Sequence, residues 1–245
     1  GYVHTRDEFR WLPGAVEAVR RIRARLPVRL VTNTTSVPHR ALAAHLIDLG
    51  LLDRPESLVT PLTVARRVLP ERGHASGFLL VGPEACGDFA WFREDPSGPA
   101  VLLATEAHTL RIADLGPAFR GLLEGATLYT LQLNRYYKKG GELVTDLGPV
   151  AAFLTYASGR KAENLGKPSP LLFDAVAAEA GAPRGEIAMV GDDAEFDVAA
   201  SVALGMAGVL VKTGKYRPGD EARVTPAPTA TLRTIRELPE WLGIP

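Results

Sequence analysis

Three acids, Asp192, Asp193 and Asp197, follow the apolar run 187–190 and its closing Gly191. A short apolar run of this kind forms a fully buried parallel strand, and open α/β sheets bind ligands beyond the carboxyl ends of such strands. Carboxylates gathered there repel one another unless a cation sits among them, and an all-oxygen donor set suits Mg²⁺. Acids at a helix start also cap it, so Gly191-Asp192-Asp193 alone has two readings, metal binding and capping. Lys167 stands in Leu165-Gly166-Lys167-Pro168-Ser169-Pro170, where prolines fix an extended entry to a helix. A surface lysine is normally solvated, but one held near carboxylates can neutralise a phosphate and bridge it to the acids. Thr32-Asn33-Thr34-Thr35-Ser36, after an apolar run, has good turn chemistry. The same residues also offer donors to phosphoryl oxygens.

Hydrophobic spacing supplies the elements that must carry these residues. Residues 1–11 give no clear element beyond Tyr2-Val3-His4 as the tail of a strand. After Pro13, the residues Val16, Val19, Ile22 and Leu26 fall on one helical face, and Pro27 ends it. Residues 28–31 predict a buried strand. Pro38 starts a second helix with Leu42, Leu46 and Leu49 inward and Gly50 as its stop. Helix, strand, polar loop and helix make half of a doubly wound sheet.

From about residue 60 a second α/β unit begins. Helices are expected at 62–69, 87–92, 112–123 and 150–158, and strands at 78–81, 101–103 and 127–131. Gly140-Gly141 turns the chain back toward Leu143-Val144. The first pattern then resumes with a helix through Leu171, Leu172, Ala175, Val176 and Ala180 to Gly181, the strand 187–190, a helix-like stretch to Leu204 and a strand at 209–211. A Pro-rich loop at 225–228 and a short amphipathic helix at 232–238 follow. The expected organisation is an α/β protein, with a doubly wound parallel-sheet core from 1–60 and 164–245 and an inserted α/β domain at 61–163.

Composition narrows the partners. Lys+Arg and Asp+Glu both number 28, so no net field favours a nucleic acid polymer or an anionic membrane. No apolar run approaches a membrane span, and no signal-peptide pattern opens the sequence. Cys86 is the only cysteine, which rules out an intrachain disulfide, and a cytoplasmic location is expected.

In combination, the strand with Thr32-Asn33, the long insert, Gly166-Lys167-Pro168, and Gly191-Asp192-Asp193 with Asp197 resemble the second, third and fourth motifs of the haloacid dehalogenase (HAD) superfamily. Arg135-Tyr136-Tyr137-Lys138, Tyr156-Ala157-Ser158-Gly159 and Val211-Lys212-Thr213-Gly214-Lys215-Tyr216-Arg217 are similar to stretches of one subgroup of its subfamily IIA. That subgroup holds phospholysine phosphohistidine inorganic pyrophosphate phosphatase and hydrolase-domain-containing relatives. The resemblance implies a Rossmann-like HAD core with a C2-type α/β cap. It implies Mg²⁺-dependent hydrolysis of a small phosphorylated metabolite through an aspartyl-phosphate intermediate. In that scheme Asp192 is the metal ligand, and Asp193 and Asp197 hold waters or orient Lys167. Lys167 pairs with the phosphoryl charge, and Thr32, Asn33 and Thr34 contribute substrate contacts. Pairing of two copies through the cap is implied as well.

The family's first motif, Asp-x-Asp-Gly, supplies the nucleophile. Gly1 aligns with the glycine that closes it, and the sequence contains no Asp-x-Asp. The nucleophilic Asp is therefore expected just upstream of Gly1. The alternative is a catalytically inactive phosphate- or nucleotide-binding module of the same fold. A receiver-like phosphoacceptor domain also places acids at a strand end opposite a lysine, but the long insert disfavours it. Arg135-Tyr136-Tyr137-Lys138-Lys139 is open to two readings, contact with a substrate or second subunit and a solvated hairpin edge.

Overall fold

The computed structural model describes residues 2–5, 8–35, 37–105, 110–139 and 142–245, with backbone alone for 2–5, 8–11 and 138–139. The chain opens with β1 (Tyr2–Thr5), β2 (Glu8–Trp11), α1 (Ala15–Arg23), β3 (Leu30–Val31), α2 (His39–Asp48) and β4 (Leu58–Val59). Next come α3 (Pro61–Glu71), β5 (Ser76–Leu80), β6 (Arg93–Glu94), β7 (Ala100–Leu103), α4 (Gly116–Leu123) and β8 (Thr127–Thr130). Then follow β9 (Tyr136–Lys139), β10 (Glu142–Thr145), α5 (Leu147–Ser158), β11 (Ala162–Asn164) and α6 (Pro170–Ala180). The chain closes with β12 (Ala188–Gly191), α7 (Ala200–Ala203), β13 (Ala207–Val211), β14 (Ala230–Leu232) and α8 (Leu238–Trp241).

These elements form two units. The first comprises Gly1–Val31, Ala43–Val59 and Lys167–Pro245; the second comprises Thr32–Leu42 and Thr60–Gly166. The sequence division at 61–163 differs in placing 32–42 with the first unit. Within the second unit the Asp88 carboxylate accepts the His39 N–H at 2.7 Å.

In the first unit β12, β13 and β14 form a parallel sheet, and β3 pairs in parallel with β4. Val31 packs against the cluster of Phe173, Met189 and Met206. Ile22, Val209, Leu238 and Ile244 form a further cluster. The entry to α6 follows its residue types. Ser169 accepts the Leu171 N–H at 3.3 Å, Pro170 takes the first turn, and Gly181 ends the helix at φ +65°.

Several expectations change: the helix expected at 232–238 starts only at Leu238, after β14 has taken Ala230–Leu232, and the one expected at 87–92 is a 3₁₀ segment, Pro83–Phe89. Residues 2–5 and 8–11 pair as antiparallel strands, β1 with β2, where only a strand tail was legible. Helix α1 buries Ala15, Ala18 and Ile22, leaving Val16 and Val19 half-buried and Leu26 exposed. The helix stops at Arg23, so Leu26 lies past its end. Arg20 and Arg23 turn their guanidiniums to the carbonyls of Leu49, Gly50 and Leu52, while Ile22 packs with Val209, Leu238 and Ile244.

The second unit is built on a five-stranded parallel sheet, ordered β11-β8-β7-β5-β6. Helices α4 and α5 contribute to one hydrophobic cluster with β7 and β8, including Val101, Leu103, Leu122, Leu128, Leu147 and Leu154. Gly77 has φ +148°, and a Cβ there would stand 1.8 Å from the Ala100 carbonyl oxygen, so close strand approach requires glycine. At the end of α3, Arg72 meets Glu163 at 2.8 Å and His74 Nδ1 meets the Tyr129 hydroxyl at 2.8 Å. The expected Gly140-Gly141 turn lies outside the described residues. Among the described residues no helix is long and apolar enough to cross a membrane.

Helix α4 gives a test of this packing. Leu122 is fully buried, whereas its neighbour Leu123 is 57% exposed. Leu122→Ala is expected to cost about 2–5 kcal/mol, against roughly 0.5 kcal/mol or less for Leu123→Ala. Chemical denaturation of both variants measures the difference.

Candidate functional site

Gly191 ends β12, and the chain then makes one wide π-helical turn, Ala194–Ala199, before α7. The three acids of this segment have separate surroundings. Asp193 is the cap, since its Oδ1 accepts the Phe196 N–H at 2.9 Å. Its other oxygen stands 3.3 Å from Lys215 Nζ. Asp192 points elsewhere: its Oδ2 accepts the Lys215 backbone N–H at 3.0 Å. Among the described residues Asp192 Oδ1 has no hydrogen-bond partner. Thus the capping reading describes Asp193, and Asp192 keeps an oxygen for a cation.

Asp197 is buried under the strand end. A Cβ on Gly191 would come within 2.2 Å of Asp197 Oδ2, so only glycine leaves room for this carboxylate. Lys167 Nζ stands 2.6 Å from Asp197 Oδ1, with the two side chains 14% and 7% exposed. Burial pushes the Asp197 carboxyl above the usual carboxylate range. The Lys167 ammonium opposes that shift, and the charges of Asp193 and Asp192 add smaller upward contributions. Lys167, Asp192, Asp193 and Asp197 therefore belong to one electrostatic neighbourhood of the first unit.

The loop after β13 belongs to the same neighbourhood. Lys215 reaches both Asp192 and Asp193, through its backbone and its ammonium respectively. Sequence reasoning assigned Lys215 and its neighbour Gly214 no role. Their only signal was membership of the string 211–217, and a backbone contact leaves no trace in residue type.

Oxygen donors on this segment suit Mg²⁺, which binds through one or two carboxylates and retains waters and substrate oxygens. Asp192 Oδ1 fits that requirement. Asp193 and Asp197 are engaged by Phe196, Lys215 and Lys167. Among the described residues no group of three or more His, Cys, Asp or Glu side chains is placed to hold a metal. Among the described residues this segment thus offers one carboxylate oxygen without a hydrogen bond, that of Asp192.

Thr32, Asn33 and Thr34 fall in the second unit, Lys167 and the acids in the first. The Thr32 hydroxyl accepts the Thr34 N–H at 3.1 Å and lies 2.8 Å from the Thr34 hydroxyl, the side-chain-to-backbone turn expected of this string. Asn33 Oδ1 lies so near Gly166 that a Cβ there would approach within 2.8 Å. A narrow cleft of about 20 Å³, room for a water molecule, is lined by Thr34, His39, Thr60, Asp88 and Thr105 among others.

The Lys167–Asp197 pair makes a signed prediction. A carboxyl whose folded-state pKa is raised holds its proton more tightly when folded, so stability falls as pH rises from the ordinary carboxylate range toward the raised value. Removing Lys167 deletes the counter-charge and raises that value further. Lys167→Ala is expected to cost about 3–5 kcal/mol at neutral pH. The deficit should shrink as pH is lowered and Asp197 becomes neutral. Melting curves of both proteins across pH 4 to 8 measure it; a gap independent of pH would refute the assignment.

A haloacid dehalogenase-like hydrolase family model matches residues 1–90, and a HAD-hydrolase-like model matches residues 164–238. The human haloacid dehalogenase-like hydrolase domain-containing protein 2 is 38% identical over 237 residues, covering 96% of this chain and 90% of the relative. The human phospholysine phosphohistidine inorganic pyrophosphate phosphatase is 35% identical over 214 residues, covering 86% and 78%. The crystal structure of a 4-nitrophenylphosphatase from Thermotoga maritima superposes with a TM-score of 0.80 at 27% identity, over 94% of this chain and 90% of that one. With its α/β architecture and the grouping of Lys167 with the acids after β12, the chain belongs to the haloacid dehalogenase-like hydrolases.

Proposed function

We propose that this hydrolase is a Mg²⁺-dependent phosphatase acting on a small phosphorylated metabolite. The observation that carries the reading is the Lys167 ammonium seated on buried Asp197, in the neighbourhood of an Asp192 that retains an open oxygen. Asp192 holds the cation, which when bound offsets repulsion between carboxylate and phosphate and orients both. Lys167 neutralises phosphoryl charge, and Asp197 keeps its ammonium from rotating away. Asp193 holds the turn that carries Asp197. Thr32, Asn33 and Thr34 donate to phosphoryl oxygens. The attacking carboxylate is that of the family's first motif; it attacks phosphorus, displacing the leaving group, and the resulting aspartyl-phosphate is hydrolysed by water to phosphate and the free carboxylate.

The inserted domain, residues 61–163, takes the part of the family's cap and selects the leaving group. It also carries the proposed homodimer contact. In the β9–β10 hairpin Tyr136 pairs with Thr145 and Leu143 with Lys138, which sets Tyr136 and Leu143 on one face. Tyr136 is 59% exposed and Leu143 69%. Both are apolar surface that a second copy would cover.

Phosphate release from a panel of phosphomonoesters, measured on the product of the full coding sequence with and without Mg²⁺, tests the reading. Asp192→Asn and Lys167→Ala are each expected to lower kcat/KM by about 100-fold or more. Turnover unaffected by both substitutions would refute it. Mg²⁺-dependent ligand binding without turnover of any substrate would instead identify an inactive binding module.

A further inference from the structure

We infer that the turn Thr213-Gly214-Lys215-Tyr216 determines how Asp192 meets its cation. It occupies one carboxylate oxygen and thereby favours Mg²⁺ over Ca²⁺. The inference rests on the reading of Asp192 as a metal ligand and goes beyond it by naming what orients that ligand.

The strands come first. β12 and β13 are adjacent and parallel, with Gly191 opposite Leu210, so the segments leaving both strands emerge at the same end of the sheet. Asp192 leaves the first strand and Lys212 the second. Lys212 still donates its N–H to the Leu232 carbonyl at 2.9 Å, continuing the ladder to β14. The chain then closes a tight turn, with Tyr216 N–H donating to the Thr213 carbonyl at 3.1 Å. Gly214 has φ +60°, and a Cβ on it would stand 1.8 Å from Asp192 Oδ2. Glycine is required twice here, for the left-handed conformation and for contact with the carboxylate. That contact brings the Lys215 N–H to Asp192 Oδ2 at 3.0 Å.

The turn is fastened from behind. Tyr216 packs against the cluster of Ala194, Val198 and Leu210, which includes residues of the π-helical turn that bears Asp197. Its hydroxyl donates to Glu221 Oε2 at 2.8 Å, while Lys212 Nζ meets Glu221 Oε1 at 2.8 Å. The same ammonium stands 5.4 Å from the centre of the Tyr216 ring. These bonds hold the Glu221 carboxyl down to about 2, the Lys212 hydrogen bond contributing most. Lys212, Tyr216 and Glu221 form a buckle whose Lys212–Glu221 ion pair stays charged at any physiological pH, and Gly214 and Lys215 are the positioning residues it presents.

The consequence follows from coordination chemistry. Ca²⁺ accepts both oxygens of a carboxylate in a loose, expandable shell, whereas Mg²⁺ takes one oxygen in strict octahedral geometry. With Oδ2 held by a backbone N–H, Asp192 presents Oδ1 alone. Bidentate binding would require breaking the Lys215 bond, and the Gly214 contact leaves the carboxylate no room to turn.

Calorimetric titration of the full-length protein with MgCl₂ and with CaCl₂ tests this without reference to turnover. Gly214→Ala is expected to weaken Mg²⁺ binding about 10-fold or more, the usual cost of losing a group that orients a ligand. Ca²⁺ binding should weaken less, so the Mg²⁺:Ca²⁺ affinity ratio falls by roughly threefold or more. Lys215→Ala keeps the backbone N–H, and its ammonium is 72% exposed, so the ratio is expected to hold within about twofold. Tyr216→Phe keeps the ring but removes its hydrogen bond to Glu221, and a ratio lowered about twofold or more carries the test should Gly214→Ala not fold. Asp192→Asn separates the two readings. If it binds Mg²⁺ like the parent, Asp192 is not the ligand and the underlying reading fails. If it loses Mg²⁺ while a folded Gly214→Ala, or Tyr216→Phe in its place, keeps the parental ratio, the turn has no such role and this inference is overturned.

Discussion

A buried ion pair governs the first unit: the Lys167 ammonium on the Asp197 carboxylate, pressed against a strand end that only glycine can form. Removing two charges from water is costly, and their attraction repays it only when geometry and neighbours cooperate. The raised Asp197 carboxyl shows burial outweighing the attraction, with two more acids adding to the strain on its charged form. Stability alone is a poor reason to keep such an arrangement, because packed apolar side chains would serve as well or better. Its benefit is positional, as it pins the entry of α6 to the turn after β12 and holds a cation beside carboxylates.

Around that pair, acids of one residue type do different work because their partners differ. Asp193 satisfies a helix-start N–H, Asp197 a buried ammonium, and Asp192 a loop N–H that uses one oxygen and leaves the other. Charge density is graded in consequence. The most buried carboxylate, Asp197, has an ammonium as its partner, and an oxygen without a hydrogen bond among the described residues belongs to Asp192, the residue that would meet a ligand. A cluster of three equivalent acids would repel itself; three acids with distinct partners can coexist.

Much of this was legible in the residues. Proline at the start and glycine at the end located α6, and apolar runs located β7, β8, β12 and β13, because buried parallel strands and capped helices leave strong local signals. The grouping of Lys167 with the acids was legible only through motif spacing, since the residues are far apart in sequence. Other features left weaker marks. Strands β4, β6 and β11 are two or three residues long, too short to show alternation. The face of α1 was misjudged because the helix ends at Arg23, short of Leu26, and small alanines at 15 and 18 share the buried face with Ile22. The hold on Asp192 was invisible because its donor is a backbone N–H, common to every residue but proline.

That last point bears on how specificity can arise in such a fold. Side chains that contact phosphate or metal are restricted by chemistry to a few types, so they identify a reaction class and little else. The backbone turn that aims them is restricted only by shape, and shape is set by distant contacts such as Tyr216 on Glu221 and on the Val198 cluster. A change at Glu221 can therefore alter which oxygen of Asp192 is exposed without touching any reacting group. If Asp192 holds the cation as proposed, selectivity for it would be set on the loop after β13 while Lys167, Asp192 and Asp197 keep their places.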